Sequence, residues 1–154
     1  MELNHKLPKS EILRGFRAFS KVLNSSLNYS INNVRVFVKI EKDNKDNNED
    51  INNLENKLPY SSIKFGVLVS KKKIPKATKR NRLKRLIREA YRLNKSILSK
   101  ISTKNIKVTL VFSLTETGYE RFNSNKNFKM QILYGDIKFL LQKVIKYINK
   151  GLID

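Results

Sequence analysis

Two different hydrophobic periods run along this chain. Ile12, Phe16, Phe19 and Leu23 recur at helical spacing, with Leu13 and Val22 beside them, which predicts a helix from Pro8 to Leu23. Pro8 and Ser10 provide its start signals. "NSSLNYSINN" then reads as a turn-rich connection. In "VRVFVKI", residues 34–40, the period changes to two: Val34, Val36, Val38 and Ile40 share one face, and Arg35, Phe37 and Lys39 the other. Residues 62–71 alternate likewise, with Ile63, Phe65, Val67 and Val69 opposite Lys64, Gly66, Leu68 and Ser70. From Leu83 the period returns to that of a helix, through Leu86, Ile87, Ala90 and Tyr91. A third strand is predicted over 105–114, then a loop, "TETGYERFNSNKNFK". A last helix over 129–149 carries Leu133, Ile137, Leu140, Leu141, Val144 and Ile148 on one stripe.

These elements predict an α+β fold, a single domain over residues 1–154 with a small mixed sheet. The strands flanking the central helix should be parallel neighbours joined by it in a βαβ unit. Residues 41–58 contain six acids, three Lys and six Asn, and read as a flexible acidic insertion between strands.

Charge adds the next constraint. The formal net charge is +20. Lys71 to Lys100 hold thirteen Lys or Arg and a single acid, Glu89. A solvated helix face usually interleaves both signs, and this one barely does. Arg85, Arg88, Arg92 and Lys95 fall on one stripe, where like charges repel. Phosphates would relieve that repulsion, with counterion release driving association. Arg80, Arg82, Arg85, Arg88 and Arg92 add the capacity for bidentate phosphate contacts. The pattern points to nucleic acid, with Glu89 pairing with a neighbouring Arg.

The polar face of the sheet offers a second surface. Arg35, Phe37, Lys39, Lys64, Gly66, Ser70, Lys107, Thr109 and Ser113 lie on it. Phe37 between two cations can stack an unpaired base, or it can be covered by Phe16 and Phe19 of the first helix. Both hold if helix and sheet form the walls of one groove.

No catalytic constellation accompanies these surfaces. There is no Cys and one His, His5, which removes disulfides, Cys-ligated zinc and a His-based triad. His5 reads as a surface residue. No Gly-rich phosphate loop or HExxH pattern occurs. Glu116, Glu120 and Asp136 are scattered. No metal site is expected in the protein itself. The N-terminus lacks the apolar core of a signal peptide and no segment reaches the length of a membrane span, so a cytoplasmic location is expected, with no membrane partner and no obligate protein partner.

"SKKKIPKATKRNRLKRLIREAYR", residues 70–92, resembles the signature of the bacterial ribonuclease P protein component. The residues that carry the resemblance are Ser70, Lys71, Lys72, Ala77, Arg80, Asn81, Arg82, Lys84, Arg85, Ile87, Arg88, Glu89 and Ala90. The order of elements agrees over residues 7–149. The resemblance implies a subunit that binds a large catalytic RNA and the 5′ leader of precursor tRNA, the RNA carrying out hydrolysis with Mg²⁺. It implies RNA contacts by Arg80, Asn81, Arg82, Arg85 and Arg88, to which the charge pattern adds Lys71, Lys72, Lys79, Lys84 and Arg92. It implies a leader cleft between the first helix and the sheet with contacts by Phe19, Leu23 and Phe37, to which the reading of the sheet face adds Phe16, Arg35 and Lys39. It also implies a left-handed βαβ crossover. Pro75 stands where the family usually has Gly, Leu23 where many members have Phe, and the loop before Arg80 is one residue longer than in many. The rival readings are a ribosome-associated RNA-binding protein and a stand-alone metal-dependent nuclease.

Overall fold

The computed structural model describes residues 7–25, 27–42, 62–101, 106–124 and 128–151. The period-two segments form a four-stranded mixed sheet. Strand β1 is Asn28–Ile31, β2 is Val34–Lys42, β3 is Ser62–Val67 and β4 is Ile106–Leu114, in the order β1-β2-β4-β3. β4 is central: it runs antiparallel to β2 and parallel to β3. The basic helix α2, Ala77–Asn94, connects β3 to β4, so the expected βαβ unit is present.

One face of the sheet carries the main core. Val34, Val36 and Val38 of β2 and Ile106, Val108, Leu110, Phe112 and Leu114 of β4 are buried there. α2 contributes Leu83, Ile87, Ala90 and Tyr91. α4, Met130–Gly151, contributes Leu133, Ile137, Leu140, Leu141, Val144 and Ile148. Tyr91 stacks on Phe65 at 4.0 Å between ring centroids, nearly parallel, and both rings tilt against Phe112. This contact fixes the rotation of α2 about its own axis, and with it the direction of its charged side.

Five expectations need correction. The helix predicted over 8–23 is broken. A single 3-10 turn, Lys9–Glu11, is followed by extended chain in which Leu13 N donates to Phe65 O at 2.7 Å. Gly15 has φ +96, which a residue with a Cβ adopts poorly, and only then does α1, Phe16–Leu23, begin. The turn-rich connection contains β1, which a two-residue Asn32–Asn33 turn joins to β2, Asn32 having φ 46. The predicted strand over 62–71 ends at Val67. The predicted loop after β4 contains α3, Glu116–Ser124. Thr115 Oγ1 accepts from Gly118 N at 3.1 Å and starts that helix. Asp136, described above as scattered, is only 8% exposed and accepts from Asn32 Nδ2, Asn33 N and Asn33 Nδ2 at 3.1–3.3 Å. It ties α4 to the hairpin.

The other sheet face packs against α1, and Tyr119 of α3 reaches its end at Ser113. Val22 of α1 is buried against Leu13 and Val111, with Ala18, Phe19, Leu23 and Phe37 packed around them. His5 and residues 43–58 of the acidic insertion lie outside the described residues, while Glu41 and Lys42 end β2. Among the described residues no helix is long and apolar enough to cross a membrane.

Candidate nucleic-acid interface

α2 carries its cations on the side away from the core, but the structure divides them into two groups. Arg80 turns back: its Nη1 donates to Ile74 O at 2.9 Å and Pro75 O at 2.7 Å, which holds the entry loop against the first turn. Pro75 serves through its carbonyl, so the missing N–H is no loss there. Arg82 Nη2 donates to Phe128 O at 3.0 Å, and its guanidinium lies 5.5 Å from the Phe122 ring centroid. Arg92 pairs with Glu89, as expected for that acid, at 2.5 and 3.1 Å. The pairing holds the Glu89 carboxyl below its ordinary pKa and raises that of Arg92. Lys95 pairs with Glu11 at 3.3 Å, and its side chain is only 14% exposed.

The continuous stripe expected from Arg85 to Lys95 is therefore shortened. Arg85 and Arg88 are exposed and make no hydrogen bond or ion pair among the described residues. Lys79 and Asn81 are also exposed and Lys84 is half-buried. Lys71 and Lys72 are exposed in the turn after β3, while their neighbour Lys73 donates to Glu116 Oε2 at 2.6 Å. That bond raises the Lys73 pKa. The first turn of α2 has no acid and no side-chain cap. Basic side chains at this positive end of the helix dipole repel it in the isolated protein, and together with the first-turn N–H groups they favour an approaching anion.

The second surface is a cleft of about 290 Å³ between α1 and the sheet, lined by Ala18, Lys21, Val22, Lys39, Glu41, Ser62, Lys64, Lys107 and Thr109 among others. Strand register explains its floor. Phe37, Val111 and Gly66 align across β2, β4 and β3; the next outward-facing row is Lys39, Thr109, Lys64, and the next Glu41, Lys107, Ser62. The first row is roofed by Phe19, whose ring lies on Gly66: a Cβ there would stand 2.8 Å from Phe19 Cζ. The rows beyond are open and basic. Lys39 Nζ pairs with Glu41 at 2.8 Å, and this bond keeps the Glu41 carboxyl below its usual pKa.

The predicted cleft residues thus separate. Phe19, Leu23 and Phe37 pack around the small core under α1 and remain only half-exposed at its rim. Phe16 does not join them; it is 86% exposed, because the turn at Gly15 rotates it away. Arg35 is exposed on the far side of Phe37, beside Ser113. Lys39 lies within the cleft. Lys21 is the lining cation that sequence reasoning missed. Its signal is spacing: it follows Ala18 by three, on the helix side that faces the sheet.

Comparison with known proteins agrees with this geometry. The family model for ribonuclease P matches residues 7–133. A ribonuclease P protein component of Porphyromonas gingivalis strain W83 is 48% identical over 59 residues, which span 38% of this chain and 42% of the relative. One from Chlorobaculum tepidum is 50% identical over 42 residues, 27% of each chain. The solved RNase P protein from Thermotoga maritima superposes with a TM-score of 0.56 at 22% identity, covering 86% of this chain and 96% of that one. The RNase P protein of Staphylococcus aureus gives 0.55 at 16%, covering 88% and 96%. A basic helix locked to a mixed sheet, a cleft under a short first helix and a family match across most of the chain lead to one conclusion: this chain belongs to the ribonuclease P protein family.

Proposed function

We propose that this chain is the protein subunit of a ribonuclease P, working in the cytoplasm, in which an RNA partner cuts precursor tRNA to release the 5′ leader. The observation that carries the reading is the division of cations on α2. Arg80 and Arg82 hold the helix to its surroundings, and Arg85 and Arg88 project from it with no partner among the described residues. The buried side of α2 fixes the backbone that carries these guanidiniums, so only their own side chains are ordered on meeting phosphates.

The cleft under α1 fits the single-stranded leader. Lys21, Lys39, Lys64 and Lys107 supply cations along its open rows, and the half-exposed Phe37 and Phe19 offer aromatic edges at its closed end. A leader in this cleft favours precursor over mature tRNA, because only the precursor has the strand to place there. The protein would act on binding and position. Among the described residues no three His, Cys, Asp or Glu side chains converge as metal ligands. In this reading the RNA partner holds the metal.

A reconstitution tests the reading. Precursor tRNA is incubated at low Mg²⁺ with the protein, with a bacterial ribonuclease P RNA, and with both. Cleavage at the leader junction that the protein stimulates only in the presence of the RNA supports the reading. Cleavage by the protein alone, or no effect of the protein on the RNA, overturns it.

A further inference from the structure

On the far side of α4 from the core lies an aromatic and basic patch that neither α2 nor the cleft accounts for. Phe139 and Tyr147 are 43% and 45% exposed, two turns apart on the helix. Lys143 sits between them in sequence. Its ammonium lies 5.5 Å from the ring centroid of Tyr29, on the edge strand β1, and 5.7 Å from that of Phe139. Tyr29 is close enough to Tyr147 for that neighbour to add to the burial that raises its pKa. Four residues from two elements thus share one surface.

Two observations bear on what this surface meets. Lys138, Lys143, Lys146 and Lys150 are exposed on α4, and its one acid, Asp136, is buried against the Asn32–Asn33 turn. The outward side of the helix therefore presents cations without acids among the described residues. A second copy of the chain would bring like charges face to face, which is unfavourable. The aromatic rings also lie among lysines and not within an apolar patch, so hydrophobic docking has little area to work with. Flat rings between ammonium groups match the composition of a single-stranded nucleic-acid platform: bases stack on the rings and phosphates lie against the lysines.

We infer that the Tyr29–Phe139–Lys143–Tyr147 patch is a second RNA contact, taking unpaired nucleotides by stacking on Phe139 and Tyr147. It is separate from α2 and from the cleft. It places RNA on two sides of the protein at once, which raises the effective concentration of either contact once the other has formed.

The probe is a fluorescein-labelled 12-nucleotide oligouridylate carrying 4-thiouridine, with binding read by anisotropy at 100 mM salt and cross-linked peptides then mapped. The inference expects a cross-link within residues 139–147. It expects affinity to fall about 5- to 30-fold in the Phe139→Leu, Tyr147→Leu double variant, which keeps apolar cover but removes the π-faces. Lys146→Gln with Lys150→Gln should instead lower the salt slope by roughly 1.4. Circular dichroism melts establish that each variant is folded; these side chains are exposed, and the lysine pair stands as an independent test if the leucine pair unfolds. Unchanged affinity in both variants overturns the inference. So does sedimentation of the wild type as a dimer that the leucine pair dissociates. If Arg85→Ala with Arg88→Ala abolishes binding of ribonuclease P RNA while the patch variants leave the oligouridylate untouched, the inference fails and the proposed function stands.

Discussion

The arginines of α2 provide the sharpest test, because the structure assigns neighbouring members of one motif to different work. Arg82→Ala removes a charged donor from Phe128 O and a guanidinium from the Phe122 ring. A charged hydrogen bond contributes about 1.5–3 kcal/mol and an exposed cation–π contact about 0.5–1 kcal/mol. Arg82 is solvent-exposed on its outer side, so the lower ends apply and the loss is about 2 kcal/mol. For a chain of this size that lowers Tm by about 4–8 °C. Arg85→Ala with Arg88→Ala removes no intramolecular bond among the described residues, so Tm should stay within about 1 °C. The second pair should instead act on RNA. Losing two phosphate contacts flattens the plot of log affinity against log salt by roughly 1.4–1.8. The assays are thermal melts of each variant and filter binding to ribonuclease P RNA between 50 and ~400 mM salt. If the Arg85/Arg88 variant melts as early as the Arg82 variant, or keeps the wild-type salt slope, the division of roles is wrong.

Four further outcomes follow from single contacts. Gly118→Ala would place a Cβ 2.2 Å from Asn33 O; its three nearest atoms are all Asn33 backbone, so a denaturant melt should show a loss at or above the top of the ~1–3 kcal/mol range for overpacking. Asp136→Ala leaves three buried or half-buried donors of the Asn32–Asn33 turn without their acceptor, and should cost about 2–3 kcal/mol in the same assay. A Cβ at Gly66 would stand 2.8 Å from the far end of the Phe19 ring and 3.2 Å from Leu13 Cβ, so Gly66→Ala should lower stability by about 1–2 kcal/mol. That ring must swing towards the cleft, however, and affinity for leader-bearing precursor should drop while that for mature tRNA holds. Tyr91 is buried, with no hydrogen-bond partner for its hydroxyl among the described residues, and burial raises its pKa. The folded state therefore keeps the phenolic proton after the unfolded chain releases it, and stability falls as pH rises above the ordinary tyrosine range. Tyr91→Phe should be nearly neutral at pH 7 and should reduce the decline in Tm measured between pH 9 and ~11.

Much of the architecture was legible because burial imposes a period on the sequence. Val34 to Ile40 and Ile106 to Leu114 alternate since one face meets the core, and the stripes of α2 and α4 follow for the same reason. The elements missed are those whose apolar content is too short to show a period. β1 has four residues, two of them polar, and exists because β2 offers it an edge and because Asp136, over a hundred residues away, accepts from the Asn33 amide. α3 carries Gly118 and a single apolar side, Tyr119 and Phe122, and depends on Thr115 and the hairpin backbone to start it. The break at Gly15 was hidden because the stripe from Ile12 to Leu23 continues across it in sequence.

The functional surface divides in the same way. Local sequence alone determined that α2 would be both a core helix and a dense cationic element, since its apolar and basic positions alternate within single turns. Which cations remain available was a tertiary matter. Arg80 is engaged by carbonyls five and six residues back, Arg82 by one from beyond α3, and Lys95 by an acid near the N-terminus. The cleft, too, exists only in three dimensions, because Lys21, Lys39, Lys64 and Lys107 come from four elements that meet through strand register and the packing of Phe19 on Gly66. Hydrophobic periodicity is a local property of the chain. Availability of a charge depends on every acceptor the fold brings near it, and no single stretch of sequence contains that information.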